Sequence, residues 1–174
     1  MDAETVEKLK KIKAIVSDID GVLTNGCTGF CPEPELKFFN FKDGHWLRMG
    51  LRAGLLVGLI SGRGCEANRV RAKELGLTFI YENTPDKRVA FEEVLKNYNL
   101  TAEECLYVGD DVIDYPIIKR AGFGVVVADG VEELDEVADY RAKTPGGQGV
   151  MVELVRMILK AQGRLDEVLE RYRA

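Results

Sequence analysis

Asp18 and Asp20 flank one isoleucine, Asp110 and Asp111 follow a glycine, and Ser61 and Lys87 lie between the two acidic pairs. Carboxylates gathered in one place repel each other and cost stability unless a cation stands among them. An all-oxygen donor set favours a hard cation, and Mg²⁺ is the common choice beside phosphates. Carboxylate, hard cation, hydroxyl and lysine together suit phosphoryl transfer. A phosphomonoester dianion repels an attacking carboxylate until metal and ammonium neutralise it. Monoester hydrolysis needs an acceleration on the order of 20 powers of ten, beyond what one unassisted acid–base pair supplies.

These residues can cooperate only if the fold brings them to one edge. Ile12–Ser17, Leu55–Ile60, Leu77–Tyr81, Cys105–Val108 and Phe123–Val127 are short apolar runs that read as strands. They are apolar on both faces, as strands inside a parallel sheet are. Three of them end at the residues named above, and ligands bind at the carboxyl ends of open parallel sheets. Helical stripes fall at Lys87–Tyr98 and around Met151, Leu154, Val155 and Ile158, with a short last helix at Leu165–Tyr172. The alternation predicts an α/β three-layer sandwich with a parallel Rossmann-like sheet and right-handed crossovers.

Asn25–Phe41 interrupts the alternation. It reads as a β-hairpin flap, with extended pieces Cys27–Cys31 and Leu36–Phe41 joined by Pro32-Glu33-Pro34. It is too small for a cap domain, and no linker or repeat appears, so residues 1–174 read as a single domain ending in a tail of about 146–174. Thr101-x-x-Glu104 has capping-box spacing but runs straight into a strand, and carries little weight. The acidic run Glu132–Asp139 reads as a solvated helix face.

With 24 Lys+Arg against 29 Asp+Glu the net charge is −5, which speaks against a general nucleic-acid binder. A small anionic substrate remains compatible, because a local field can invert the global one. No apolar run is long enough to span a bilayer, and no signal-peptide stretch is visible. Cys27, Cys31, Cys65 and Cys105 read as reduced thiols of a cytoplasmic protein rather than a disulfide framework. Cys27 and Cys31 lack the second half of a zinc site.

Asp18-Ile19-Asp20-Gly21-Val22-Leu23-Thr24 resembles the nucleophile motif of the haloacid dehalogenase superfamily of phosphatases. Ser61-Gly62-Arg63, Lys87 and Gly109-Asp110-Asp111-x-x-Asp114 match its later motifs in order. Within the superfamily the chain is similar to the capless branch of 3-deoxy-D-manno-octulosonate 8-phosphate phosphatases. That likeness includes Leu36-Lys37-x-Phe39-Asn40-x-Lys42-Asp43-Gly44, Gly146-Gly147-Gln148-Gly149 and the tail from Ala161 to Glu167.

The resemblance implies that Asp18 attacks phosphorus and Asp20 protonates the leaving alkoxide, then takes a proton from water. It implies Mg²⁺ held by Asp18, the Asp20 carbonyl and Asp110, with Asp111 and Asp114 behind. Ser61 and Lys87 would hold phosphoryl oxygens. The implied substrate is a sugar acid phosphate of lipopolysaccharide precursor synthesis. Asn40, Lys42, Asp43, Gly44, Arg48, Gly62, Arg63 and Arg71 would line its site. Family members are tetramers in which flaps assemble and a neighbour's glycine-rich tail enters the site. Gln148 replaces the arginine usual in that tail.

Other readings stand beside this one. The same chemistry could act on a nine-carbon sialic acid phosphate or its deaminated analogue. A receiver domain shares the Asp, Mg²⁺, hydroxyl and Lys set, but its phosphoacceptor ends the third strand. A non-catalytic assembly domain would not need both Asp18 and Asp20. Taken singly, Asp-x-Asp is a turn, Ser61 a helix cap, Lys87 a solvated helix start and Arg71 an exposed helix charge. His45 reads as packing or site wall.

Overall fold

The computed structural model describes residues 1–29 and 35–173. The apolar runs become strands Ala14–Ser17 (β1), Leu56–Ile60 (β2), Phe79–Tyr81 (β3), Cys105–Gly109 (β4) and Phe123–Val126 (β5), joined by the short Tyr140–Arg141 (β6). All neighbours are parallel, in the order β3-β2-β1-β4-β5-β6. β1 is therefore central, flanked by β2 and β4, and Asp18 extends its ladder through a 3.0 Å bond from its N–H to the Val108 carbonyl.

Alternation along each strand feeds two cores. Ile15, Val57, Leu59, Leu106 and Val108 point to one face, and Ala14, Val16, Ile60 and Tyr107 to the other. Helices Ala3–Lys11 (α1), Phe41–Arg52 (α2), Glu66–Leu75 (α3) and Val150–Ala161 (α6) cover the first face, with Leu165–Glu170 (α7) at its margin. Lys87–Asn97 (α4) and Tyr115–Arg120 (α5) cover the second. α6 buries Val150, Met151, Leu154, Val155, Ile158 and Leu159. Truncating one such leucine to alanine costs about 2–5 kcal/mol.

Several elements depart from the sequence reading. α1 is capped by Asp2, whose carboxylate accepts from the Thr5 N–H at 2.8 Å. α2 was hidden by Gly44 and Gly50, poor helix formers, of which Gly44 is required by packing. A β-carbon on Gly44 would collide with the Arg71 guanidinium and lie 2.9 Å from Leu75 Cδ2.

The acidic run is not a helix face: only Glu132–Leu134 forms a 3-10 turn, and Asp139 is bonded to the Gly124 N–H at 2.7 Å and to Lys8 at 2.7 Å. Thr101 and Glu104 do form a capping box, around the 3-10 turn Ala102–Glu104 that leads into β4. Gly29 and Leu36 form one antiparallel bridge where the flap was expected. Its tip, with Cys31 and Pro32-Glu33-Pro34, lies outside the described residues. The second extended piece stops at Asn40, which caps α2 by accepting from the Lys42 N–H at 2.8 Å.

Candidate active site

β1, β2 and β4 are in register at their carboxyl ends, Ser17 pairing with Leu59 and Val108. That register sets Asp18, Ser61 and Asp110 on one edge. The Asp18 side chain is buried, and Lys87 Nζ lies 2.9 Å from its Oδ1. Lys87 opens α4 behind its capping residue Asp86, and its ammonium also donates to Asp114 Oδ1 at 2.7 Å. Burial by itself would lower the Lys87 ammonium, but Asp18 and Asp114 outweigh it and hold it above the ordinary lysine value.

Asp114 is an internal tie. Its Oδ1 also accepts from the Tyr107 hydroxyl at 2.6 Å, and its Oδ2 from the Asp110 and Asp111 N–H groups at 3.1 and 3.4 Å. This side chain sets the turn after β4 and locates Lys87. Burial pushes the Tyr107 hydroxyl well above its ordinary value, reinforced by Asp114 and Asp18, so it stays a donor.

Asp110 has a buried Oδ1 with no hydrogen-bond partner. Carboxylate oxygens of Asp18, Asp110 and Asp114 all lie within 4.8 Å of one another. Burial, then repulsion from Asp18 and Asp114, pushes Asp110 up to about 8. Burial and Asp114 push Asp18 up to about 6 despite Lys87. An unpartnered carboxylate oxygen within surplus negative charge is the electrostatic condition a divalent cation relieves, and the donors are hard oxygens. The residues fit Mg²⁺.

Gly21 makes this closeness possible. At φ +92° it turns the loop after Asp20, and a β-carbon there would collide with the Asp110 carboxylate. Asp20 sits half-buried beside it, and both its oxygens accept from Lys37 Nζ, at 2.6 and 2.8 Å. Lys37 was not among the expected site residues. Its signal was the Leu36-Lys37 stretch, but a single lysine in a loop gives no sign of pointing inward.

The remaining expectations divide. Ser61 is buried, with its Oγ accepting from the Arg63 N–H at 3.2 Å, and Gly62 is half-buried beside it. Arg63 is exposed and pairs with Glu35 at 3.2 Å at the rim. Asp111 is exposed and caps the turn after it by accepting from the Val112 N–H at 2.7 Å, which leaves the capping task alone visible. Asn40 caps α2 and donates to the Gly147 carbonyl at 3.2 Å. Asp43 is buried, and its oxygens accept from the Gly149 and Met151 N–H groups at 3.1 and 2.7 Å, anchoring the start of α6.

Arg71 donates to the Asn40 carbonyl at 3.2 Å and to Glu74 at 2.9 Å, and stacks over Phe39. Gly44 gives it room. Lys42 is exposed on the first turn of α2. Arg48 is exposed about 10 Å further along α2 by helical rise, which carries it away from the site of its own chain. His45 is no site wall: it packs edge-on against Tyr172, 5.5 Å between centroids.

The glycine-rich segment packs on its own chain. Gly146 packs against the Gly21 carbonyl so closely that a β-carbon would collide, and the Gly147 N–H donates to the Val22 carbonyl at 2.8 Å. The fold binds this loop over the loop after β1 because both glycines admit backbone-to-backbone approach. Gln148 is exposed on it.

A parallel sheet with an Asp-x-Asp pair ending its central strand, a buried lysine and an acidic turn after β4 defines a haloacid dehalogenase-like hydrolase, and the chain belongs to that family. The family model of the haloacid dehalogenase-like hydrolases matches residues 61–154. Among curated proteins, the chain is 36% identical over 168 residues to the 3-deoxy-D-manno-octulosonate 8-phosphate phosphatase of Escherichia coli, covering 96% of this chain and 89% of that one.

Among solved structures, a probable YrbI family phosphatase from Pseudomonas syringae superposes with a TM-score of 0.96 at 34% identity, covering 99% of each chain. The Moraxella catarrhalis 3-deoxy-D-manno-octulosonate 8-phosphate phosphatase, solved with magnesium, phosphate and the sugar acid, gives 0.95 at 33% identity, again over 99% of each chain. A receiver arrangement does not apply, since the Asp-x-Asp pair follows β1. Among the described residues, no helix is long and apolar enough to cross a membrane.

Proposed function

We propose that the chain is a Mg²⁺-dependent phosphatase that hydrolyses 3-deoxy-D-manno-octulosonate 8-phosphate, a step in lipopolysaccharide precursor synthesis. The observation that carries this is the cluster of buried Asp18 and Lys87 with half-buried Asp110, whose inner oxygen is unpartnered, in a chain similar throughout to phosphatases of that sugar acid.

Asp18, the Asp20 backbone carbonyl and Asp110 would hold the ion. When bound, Mg²⁺ neutralises charge on the phosphate and lets a carboxylate approach it. Lys87 holds Asp18 from the interior and presents positive charge to the same edge. Asp18 forms the bond to phosphorus while Asp20 gives its proton to the departing sugar oxygen. Asp20 then takes a proton from the water that cleaves the aspartyl-phosphate. Ser61 and Lys87 hold phosphoryl oxygens, and Asp111 and Asp114 support the turn carrying Asp110. Arg63 and Lys42, exposed near the rim, are the cations placed to meet the sugar carboxylate. Asn40, Asp43, Gly44, Gly62 and Arg71 shape that wall through α2, the loop after β2 and α3.

Residues 1–174 act as one domain. Phe38 is 76% and Phe41 83% exposed beside the flap, an apolar surface that supports a homotetramer assembled through flaps. Cys27, Cys65 and Cys105 are free thiols, which supports a cytoplasmic setting.

Phosphate release from 3-deoxy-D-manno-octulosonate 8-phosphate, with Mg²⁺ and with a chelator, tests the reading. Hydrolysis should require the metal and exceed that of sialic acid or deaminated sialic acid 9-phosphate. Equal hydrolysis of a small generic phosphoester would remove the substrate assignment.

A further inference from the structure

Lys37 lies in an extended stretch whose side chains alternate: Leu36 and Phe38 are exposed, while Glu35, Lys37 and Phe39 turn inward. The stretch crosses the mouth of the site. Glu35 fastens it to Arg63 at 3.2 Å, and Lys37 fastens it to Asp20. The Lys37 side chain is 1% exposed, and its ammonium chelates both Asp20 oxygens. Burying an ammonium costs several kcal/mol unless its partners are well placed. An apolar side chain of the same length would fill the space without that cost. The two aspartates of the motif thus each have their own buried lysine: Lys87 comes from inside the sheet to Asp18, and Lys37 comes from the flap side to Asp20.

We infer that Lys37 is a positioning residue for Asp20, fixing the rotation of its carboxylate so that one oxygen faces the departing sugar oxygen. This rests on the proposed acid–base role of Asp20. In that step Asp20 is in its protonated form, one oxygen still accepting from Lys37 and the other carrying the proton; the Asp18 oxygen bonds to phosphorus, the ester P–O bond breaks, and the leaving oxygen takes that proton. The following water returns a proton to Asp20 as it attacks the phosphoenzyme. Without its chelating ammonium, a half-exposed carboxylate on a loop rotates freely, and an error of about 1 Å in such geometry costs on the order of a hundredfold in rate.

Leaving-group dependence separates positioning from general damage. An alkyl leaving group needs a proton, whereas nitrophenolate departs without one. kcat/KM reports events up to the first irreversible step, phosphoenzyme formation. Lys37→Met should lower kcat/KM for the sugar acid phosphate by about 10- to 100-fold and that for 4-nitrophenyl phosphate by less than about threefold. Lys37→Arg should recover most of the loss. Lys37→Gln serves the same comparison should the methionine variant fail to fold, as judged by circular dichroism.

Asp20→Asn is the control. If it spares the aryl ester while depressing the alkyl ester, and Lys37→Met depresses both equally or neither, the Lys37 assignment is overturned. If Asp20→Asn itself shows no leaving-group discrimination, the acid–base reading of Asp20 is what fails.

Discussion

Gly21 and the Asp110 carboxylate, distant in sequence, lie so close that no side chain fits between them. The loop after β1 and the acidic turn after β4 meet at that contact, and the cluster of Asp18, Asp110 and Asp114 depends on it. Gly21→Ala should therefore damage the site twice, through a strained φ of +92° and through displacement of Asp110. The strain costs about 1–2 kcal/mol. Denaturant unfolding should register that loss, and the Mg²⁺ concentration for half-maximal activity should rise at least about tenfold.

Asp18→Asn should abolish turnover without unfolding the chain. The substitution removes charge from a buried, mutually repelling group, so thermal unfolding without metal should change little or shift upward. Residual turnover above about one part in a thousand would contradict the nucleophile assignment. Asp20→Asn should let phosphate from an activated ester remain on Asp18, visible as an acid-stable mass increment on the intact protein.

The metal-free protein should lose stability as pH rises. Burial and repulsion raise Asp18 to about 6 and Asp110 to about 8 in the folded chain, above the value of 3.8 for a free aspartate. Folding is then most favoured below about pH 4, where both states are protonated. The advantage fades as pH climbs through 6 and 8 and these buried acids must ionise. Denaturation midpoints in chelator should fall between pH 5 and 8.5, and saturating Mg²⁺ should flatten that slope, because binding to the folded state favours the ionised carboxylates.

Asp43 should prove structural. Its carboxylate caps the start of α6, and Asp43→Ala leaves buried N–H groups unpaired. The expected cost is about 1–3 kcal/mol by urea denaturation. Asp43→Asn keeps one acceptor and should lose less.

Cys105 should be chemically silent. Burial, with Glu104 and Glu103 nearby, pushes its thiol up to about 12. Alkylation of the native protein at pH 8 should label exposed Cys27 and leave Cys105 unmodified until unfolding.

The placement of Asp18, Ser61, Lys87 and Asp110 could be read from the chain because each sits at the end of an apolar run or the start of an amphipathic helix. Local patterning marks those boundaries, and parallel topology carries them to one edge. Five of the six strands were legible for the same reason. Tyr140–Arg141 was not, since two residues show no period.

What lay beyond reach depended on contacts between distant segments. α2 contains two glycines, and only contact with Arg71 and Leu75 explains Gly44, so propensity pointed the wrong way. Asn40, Asp43 and Arg71 carried the marks of ligand contacts, yet the fold engages them in caps and anchors. The inward turn of Lys37 onto Asp20, and the folding of Gly146–Gly147 over the loop after β1, follow from three-dimensional closure. Side-chain type and spacing encode which chemistry is affordable at a strand end. Which polar group spends its bonds on structure and which keeps them for substrate is set by burial and partner geometry, and these exist only once the chain has packed.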